Sequence, residues 1–387
     1  MAVIAISNSL TFLSKEINME ENKKKIKFVI GNGFDLELKF KMSYYDFFNN
    51  NLFNKKDVIS CVNSYNTFYP NCKSLKTPEN IWNIFFYLCS IDLVYVRYTD
   101  SNDGHYVIKV GDLEVIKWCD IEESMSKSFN QKLDDDKIPS WINIYELLFG
   151  KRLRNNIKDD LISQMLSNIF KGKKFSKEAF CSFLLDELKV FEKIFGEYIK
   201  EETNNQNKIY DRINLLSVIY GEDLNGVIYS IDSFNYSSIN NLDVFHINGD
   251  TDKPIFGIDS KGIAACEPRY IFTKTYRRLE YNTIKRKEEF KDFDNLYIYG
   301  HSLNEQDYNY FFPLLDYLKV NDINSNTKII FAYTIYDINK KDEIISNLTK
   351  GIAGLFEAYE DYKHITNEHR LMDILTFRNR LIIKEIK

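Results

Sequence analysis

Short segments that combine glycine with asparagine, histidine or acidic residues stand out because each follows an apolar run. The first is GNGFD, and its candidate ligand-binding residues are Gly31, Asn32, Gly33, Phe34 and Asp35. Two glycines permit close approach of the backbone to a ligand, as contact with a phosphate requires. The third small residue of the dinucleotide fingerprint is absent, since Leu36 stands there, and the P-loop lysine is absent too. The segment predicts either a nucleotide-binding loop or a tight turn.

Two further segments place an amide and an imidazole at the ends of apolar runs. In SFNYSS, the carboxamide of Asn235 could orient a sugar hydroxyl or a water, and the alternative is an Asx turn. In FHINGD, His246 and Asn248 are two residues apart, so a strand would place both side chains on one face. Gly249 again permits close approach of the backbone. We interpret His246 as a candidate general base and Asn248 and Gly249 as ligand contacts, against the alternative of a structural histidine.

A fourth segment, GHSLNEQD, lies at a predicted junction between strand and helix. Unpaired backbone N–H groups at such a junction attract anions. The candidate binding residues here are Gly300, His301, Ser302 and Asp307. Ser302 and Glu305 also form a capping-box pattern, which accounts for part of the sequence. A fifth segment, WCDIEE at residues 118–123, could form an acidic site, although such a run more often begins a solvated helix.

The elements that must position these residues alternate between strand and helix patterns. The predicted strands are IKFVI (26–30), GVIYSI (226–231), VFHING (244–249), NLYIYG (295–300) and KIIFAYTIY (328–336), the last strand of the chain. Alternation of this kind predicts a mostly parallel sheet with helices on both faces. Ligands of open α/β sheets bind at the carboxyl ends of the strands. The polar segments would therefore meet at one edge of the sheet.

Between the first two strands, the sequence predicts a long insertion. We expect a flexible leader at 1–25 and a single α/β domain at 26–387, with the insertion at about 50–215. A hairpin is predicted near 93–110 and helices near 118–200. A loop at 31–42 precedes a helix that begins at Ser43. Six apolar residues at helical spacing predict a buried stripe, namely Phe180, Leu184, Leu188, Phe191, Phe195 and Tyr198.

Composition narrows the classes of function. The 387-residue chain has a net charge of −5, which argues against non-specific nucleic-acid binding. None of its six cysteines are paired at zinc-knuckle spacing, so no metal is expected, and scattered thiols fit a reducing cytosol. The sequence contains no run of eighteen apolar residues, so it predicts no membrane span. We therefore expect a cytoplasmic protein without a membrane partner.

Taken in order, six short motifs resemble those of the bacterial abortive-infection AbiH family. They are FVIGNGFDL, SYYDFF, WCDIEE, SFNYS, HINGD followed by PIFG, and YGHSLNEQDYNYF, over about residues 26–336. The resemblance implies defence against bacteriophage. The glycine, asparagine and histidine–glycine loops of the family are similar to those of sirtuin-like domains, Rossmann-type folds that bind NAD and, in several defence systems, destroy it.

This resemblance implies a Rossmann-like, sirtuin-like α/β fold with NAD as the substrate. Asn235 and His246 would catalyse hydrolysis of the nicotinamide–ribose bond, while the glycine loop holds phosphate. One departure concerns the third motif, in which such proteins generally place histidine directly before the glycine. Asn248 stands there, and the nearest histidine is His246. The zinc-binding cysteines of deacetylase sirtuins are also absent, which argues against peptide deacetylation.

Two alternatives to hydrolysis stay open. The same loops could sense a nucleotide without turning it over, and Asn248 favours that interpretation. A metal-dependent nuclease would instead use the acidic residues Asp35, Asp120, Glu122 and Asp307. The expected partners are a nucleotide ligand, a phage-derived trigger and, in a homo-oligomer, a second copy of the chain.

Overall fold

The computed structural model describes residues 23–50, 80–83, 86, 122, 125–126, 177–204, 209–239, 242–281, 293–322, 324–365 and 370–386. The predicted hairpin near 93–110, most of the predicted leader and most of the predicted insertion lie outside these residues. The chain divides into two compact units. The sheet unit comprises Met1–Leu38, Gln206–Ile247 and Lys285–Lys387, and the second unit comprises Lys39–Asn205 and Asn248–Ile284.

Eight helices are described from end to end. They are α1 (Asn32–Glu37), α2 (Tyr44–Phe48), α3 (Lys177–Thr203), α4 (Ile209–Tyr220), α5 (Lys274–Glu280), α6 (Tyr308–Tyr317), α7 (Lys341–Lys363) and α8 (Leu371–Phe377). Short 3₁₀ turns occupy Pro268–Phe272, Glu305–Asp307 and Ile338–Lys340. Within this part of the chain, none of the helices combines the length and the apolar character that crossing a membrane requires.

The sheet unit is built on six parallel strands. They are β1 (Lys25–Ile30), β2 (Ile228–Ser233), β3 (Val244–His246), β4 (Asn295–Tyr299), β5 (Lys328–Tyr333) and β6 (Leu381–Glu385). Their order across the sheet is β3-β2-β1-β4-β5-β6. This is the doubly wound Rossmann order, in which chain direction across the sheet reverses between β1 and β4. The predicted Rossmann-like α/β class with a parallel sheet is confirmed.

Strand register brings the polar segments to one level. Ile30 pairs with Ser233 on one side and with Tyr299 on the other, and Ser233 pairs with His246. The last residues of β1, β2, β3 and β4 therefore lie side by side at the carboxyl edge of the sheet. The segments that follow these strands start from the same edge.

Successive side chains of the strands point to opposite faces of the sheet and pack in two apolar cores, one on each face. Ile26, Phe28 and Ile30 of β1 pack in one core with Leu216 and Ile219 of α4. The near-continuous apolar character of β1 follows from this burial on both sides, as is typical of parallel strands.

The opposite core lies under the carboxyl-terminal helices. Val29 and Ile298 of the sheet share it with Leu314 of α6, Leu355 of α7 and Leu375 of α8. In the chain, α6 follows β4, and α7 and α8 follow β5. Helices from the second half of the doubly wound fold therefore cover this face of the sheet.

Several local predictions are wrong for identifiable reasons. The loop expected at 31–42 is interrupted by α1, which begins at Asn32 directly after β1. Pro313, a residue type that kinks or ends helices, lies inside α6, because buried Phe311, Leu314 and Leu315 hold this helix in the core and outweigh the missing N–H bond. KIIFAYTIY is not the last strand, since β6 follows it and pairs with β5.

Capping predictions had mixed outcomes. At α2, the Ser43 hydroxyl accepts a hydrogen bond from Asp46 N and the Asp46 carboxylate accepts one from Ser43 N, so the capping box is present. Ser302 and Glu305 form no such box. Asn304 precedes the 3₁₀ turn without a side-chain cap, and Leu303 adopts a left-handed conformation with φ of 55°.

In the second unit, the long helix α3 has the predicted apolar stripe. Of the six predicted residues, Leu184, Leu188, Phe191, Phe195 and Tyr198 are buried, and the side chain of Phe180 lies outside the part of the chain that is described. The stripe is confirmed, and it explains why a 27-residue helix with many charged residues is stable there.

A buried ion pair fastens α3 to α5 within the same unit. The Glu192 carboxylate receives Arg277 Nη2 at 2.7 Å and Phe256 N at 2.8 Å. Burial raises the pKa of Glu192 to about 7, while the Arg277 guanidinium acts in the opposite direction. These contacts hold the segment around Phe256 against two helices.

Candidate active site

The glycines of the first and fourth segments touch one another. Gly31 N donates a hydrogen bond to Tyr299 O at 2.9 Å, and Gly33 N donates to Gly300 O at 2.8 Å. A Cβ on Gly31 would lie 2.5 Å from Gly300 O, and one on Gly33 would lie 2.6 Å from Gly300 Cα. The close approach predicted for these glycines is therefore between the β1 and β4 loops themselves.

This packing changes the role expected of the glycine loop. The N–H groups of Gly31 and Gly33 are bonded to the β4 loop, and Phe34 N donates to Gly31 O at 2.9 Å. The β4 backbone and the first turn of α1 therefore engage three N–H groups of this loop, and a phosphate contact at the loop stays a prediction. Asn32 stays a predicted ligand contact.

Asp35 of α1 is the centre of a buried polar network. Its side chain is 1% exposed and receives Arg212 Nη2 on Oδ1 at 2.9 Å. Oδ2 receives Asn235 Nδ2 at 3.0 Å and Ser237 Oγ at 2.6 Å. Burial raises the pKa of the Asp35 carboxyl, against the opposing effects of Arg212 and of these hydrogen bonds. Asp35 binds side chains of the protein, which is a different role from the ligand contact predicted for it.

Sequence reasoning missed Arg212 and Ser237. Arg212 of α4 lies three, four and seven residues before Leu215, Leu216 and Ile219, all of which are buried. A charged residue on the apolar stripe of a helix needs a buried partner, so the helical spacing was a usable signal.

Asn235 connects this network to β3. Its Nδ2 donates to Gly31 O and to Asp35 Oδ2, both at 3.0 Å. Its backbone carbonyl lies 2.8 Å from His246 Nδ1. The side chain and the main chain of one residue therefore join the loops after β1 and β2 to the end of β3.

The contact with Asn235 fixes the tautomer of His246. A carbonyl oxygen only accepts hydrogen bonds, so Nδ1 of the His246 ring carries the proton. The basic lone pair is then on Nε2. His246 is the last residue of β3 and is half-buried. The structure thus unites His246 with Asn235, as the sequence predicted, and supplies the chemical reason why one ring nitrogen is basic.

His301 at the end of β4 has a different environment. Its Nδ1 accepts a hydrogen bond from Leu303 N at 2.8 Å, and its Nε2 lies 3.3 Å from Asp307 Oδ2. Its ring centroid is 4.1 Å from that of Phe234. These contacts stabilise a turn in which Leu303 has a positive φ. Ser302, by contrast, is exposed.

A second buried polar group lies in the sheet itself. Lys27 of β1 is 2.9 Å from Asp232 Oδ1 of β2, and both side chains are at most 1% exposed. Tyr310 of α6 donates to Asp232 Oδ2 at 2.5 Å. The pair ties β1, β2 and α6 together next to Phe234. Lys27 was visible in the sequence as the one charge in an apolar run, but its partner was not predicted.

Asn248 and Gly249 do not continue β3. The strand ends at His246, so the prediction that His246 and Asn248 share one strand face is wrong. Within the second unit, Asn248 Oδ1 accepts from Arg278 Nη2 at 2.8 Å. Gly249 has a φ of 79°, and a Cβ there would lie 2.0 Å from Lys253 O. A tight turn thus explains Gly249 without a ligand.

The acidic residues of the nuclease hypothesis have cationic or imidazole partners. Asp35 pairs with Arg212, Glu122 with Lys274 at 2.8 Å, and Asp307 with His301. Asp120 lies outside the described residues. Among the residues described, no group of three or more histidine, cysteine or acidic side chains is placed to hold a metal ion. The geometry gives the nuclease hypothesis no support.

Comparison with known proteins gives one match. A family model described as bacteriophage abortive infection AbiH matches residues 28–333. The matched span runs from within β1 to the end of β5 and includes each polar segment described above. No curated protein and no solved structure matches the chain. The sirtuin-like character implied by the loops stays a prediction.

Proposed function

Because the chain belongs to the bacteriophage abortive infection AbiH family, we infer a role in phage defence and propose that it hydrolyses NAD⁺ at the nicotinamide–ribose bond. The observation that carries the proposal is the hydrogen-bonded chain Asp35–Asn235–His246. It lies at the carboxyl ends of β1, β2 and β3, the edge at which open α/β sheets bind ligands. A defence protein of this kind would remove a cofactor that the phage needs.

The proposed reaction makes modest demands on the protein. The C–N bond breaks with its electron pair moving to the pyridinium nitrogen, so nicotinamide leaves neutral and no strong acid is required. The transition state resembles an oxocarbenium ion, as in glycoside hydrolysis. A water oxygen then bonds to the anomeric carbon. His246 Nε2 takes the proton of that water, and Asn235 Oδ1 orients the water or a sugar hydroxyl.

The dinucleotide would need phosphate contacts other than the N–H groups of Gly31, Gly33 and Phe34. Asn32, Ser302 and Gly300 are the predicted binding residues that remain for this purpose. The proposal therefore concerns the ribose that carries nicotinamide, where Asn235 and His246 would act. This makes nicotinamide release the informative assay.

The test uses protein purified from cells before and after phage infection, because defence effectors are commonly inactive until triggered. NAD⁺ and nucleic acid are supplied separately, each with and without a chelator. We expect nicotinamide release after infection that the chelator does not reduce. Protein from infected, protected cells that degrades nucleic acid but releases no nicotinamide would overturn the proposal.

A second candidate is a nucleotide sensor without turnover. The observation that favours it is Asn248, which occupies the position where the family pattern has histidine and is bonded to Arg278. Asn248→His separates the two functions. A sensor would bind NAD⁺ without releasing nicotinamide, and the substitution would create turnover. An enzyme would release nicotinamide in the parent, and Asn248→His would keep or raise that rate.

A further inference from the structure

The carboxamide of Asn235 cannot exchange the positions of its nitrogen and oxygen by a 180° flip. The side chain is 6% exposed, and Nδ2 contacts Gly31 O and Asp35 Oδ2, which only accept hydrogen bonds. The opposite orientation would press Oδ1 against both of these oxygens. Within the part of the chain that the structure describes, Asn235 Oδ1 receives no hydrogen bond. This oxygen is not enclosed by the described residues, so a donor from a ligand can reach it.

Asp35 is held in place from two sides. Arg212 donates to Asp35 Oδ1 and, through Nη1, to Ser238 O at 2.6 Å. Ser237 donates to Asp35 Oδ2. Because Arg212 belongs to α4 and Asp35 to α1, two helices fix the carboxylate that in turn orients the amide of Asn235.

We infer that Asp35 and Arg212 are positioning residues that hold the Asn235 carboxamide with Oδ1 toward the ligand, so that the site selects a sugar by accepting its hydroxyl protons. The ligand class is a nucleotide with an intact ribose, an identification that rests on the proposed function. A deoxyribose would leave Oδ1 buried without a donor, which sites built for a hydroxyl reject strongly.

The experiment measures binding of ADP-ribose, the product of the proposed hydrolysis, and of its analogue without the 2-hydroxyl on the terminal ribose. Isothermal titration needs no turnover. We expect the parent to bind ADP-ribose about 10- to 100-fold more tightly than the deoxy analogue. A ratio near one in the parent overturns the inference.

The variant Asp35→Leu/Arg212→Met removes both charges together, so that no unpaired charge is buried. Its ratio of affinities should fall to about one-tenth of the parent value or lower, because the amide is free to turn. Loss of fold alone would weaken both ligands equally and leave the ratio unchanged. Arg212→Gln is a milder change that replaces the double variant if the latter does not fold. It should lower the ratio by a smaller factor.

Glu192→Leu/Arg277→Met is the matched control, because it removes an equally buried ion pair from the second unit and leaves the network of Asp35 and Asn235 intact. Its ratio should stay near that of the parent. An unchanged ratio in folded Asp35→Leu/Arg212→Met, or in Arg212→Gln, contradicts the inference. If the protein releases nicotinamide but binds both ligands equally, only this inference is overturned. If it prefers ADP-ribose over the deoxy analogue but releases no nicotinamide, only the proposed hydrolysis is overturned. If it does not bind ADP-ribose, both are overturned.

Discussion

His246 and His301 lie at the same edge of one sheet, yet the backbone engages them in opposite ways. At the end of β3, His246 Nδ1 faces a carbonyl oxygen and must donate. At the end of β4, His301 Nδ1 faces the N–H of Leu303 and must accept. The two rings therefore carry their protons on different nitrogens. The comparison shows that a backbone contact, rather than the residue type, decides which histidine can act as a base.

The consequences differ for the two sites. With its proton on Nδ1, His246 has its basic lone pair on Nε2, away from the backbone contact. The lone pair on His301 Nδ1 accepts the hydrogen bond from Leu303 N, and the proton on Nε2 points to Asp307. Both nitrogens of His301 thus serve to stabilise a turn with a strained residue. In the proposed reaction, catalysis belongs to the β3 end, and the β4 end has a role in loop structure.

The largest effect is expected from His246→Asn. The Asn side chain can place its Nδ2 where the histidine has Nδ1 and can still donate to Asn235 O, but it has no basic nitrogen. Nicotinamide release should fall by about 10²- to 10⁴-fold, the usual contribution of a general base. Binding of ADP-ribose and the melting temperature should stay close to the parent values. Parental turnover in this variant would remove His246 from the mechanism.

A smaller effect, and one on stability, is expected from His301→Ala. The buried N–H of Leu303 loses its acceptor and Asp307 loses its donor, which should cost about 1–3 kcal/mol in the free energy of unfolding. Turnover per folded molecule should change only a few-fold. His301→Asn keeps an acceptor for Leu303 and should recover part of the loss in urea titrations. Full stability combined with lost turnover in His301→Ala would reverse the two assignments.

The contact that joins the two loops gives the next prediction. Gly33→Ala places a Cβ 2.6 Å from Gly300 Cα, so the β1 and β4 loops must separate. We expect a loss of about 1–3 kcal/mol in the free energy of unfolding, as for other overpacked sites. Thermal and urea unfolding would measure it. An unfolding free energy equal to that of the parent would show that the loops are not packed as described.

Gly351→Ala is the control for that change and has the smallest expected effect. Gly351 lies inside α7 beside the β4 loop, and its Cβ would meet Ser302 O and Leu303 Cβ at an ordinary 3.5 Å. Replacing a helical glycine there should stabilise the protein by about 0.5–1 kcal/mol. The same unfolding measurements apply. A loss comparable to that of Gly33→Ala would show that glycine substitutions near the β4 loop destabilise without regard to geometry.

The sequence was informative about the fold because its apolar runs and helical spacings are local. The strands β1 to β5 and the stripe of α3 were predicted, as was the meeting of polar segments at the carboxyl edge. β6 was missed although Arg378, Asn379 and Arg380 separate it from α8, since LIIKE has only three apolar residues and ends in two charged ones. The end of β3 at His246 was missed because a turn at Gly249, closed against Lys253, overrides the alternating pattern.

The candidate site was predicted less completely, because its chemistry depends on long-range contacts. Arg212 reaches Asp35 across 177 positions of the chain, and Lys27 reaches Asp232 across 205. Motif spacing identified Asn235 and His246 but carries no information on which ring nitrogen a distant carbonyl engages. The glycines were recognised as sites of close approach, yet the approaching group is another loop of the same protein.

The tautomers of the two histidines test this account most directly. Long-range ¹H–¹⁵N spectra of the imidazole rings distinguish a protonated from an unprotonated nitrogen, and the chain has only five histidines. His246→Asn and His301→Asn assign the two resonances of interest. We predict a proton on Nδ1 and none on Nε2 for His246, with the reverse for His301. A His246 ring protonated on Nε2 and bare on Nδ1 would contradict its assignment as the base and the division between the two sites.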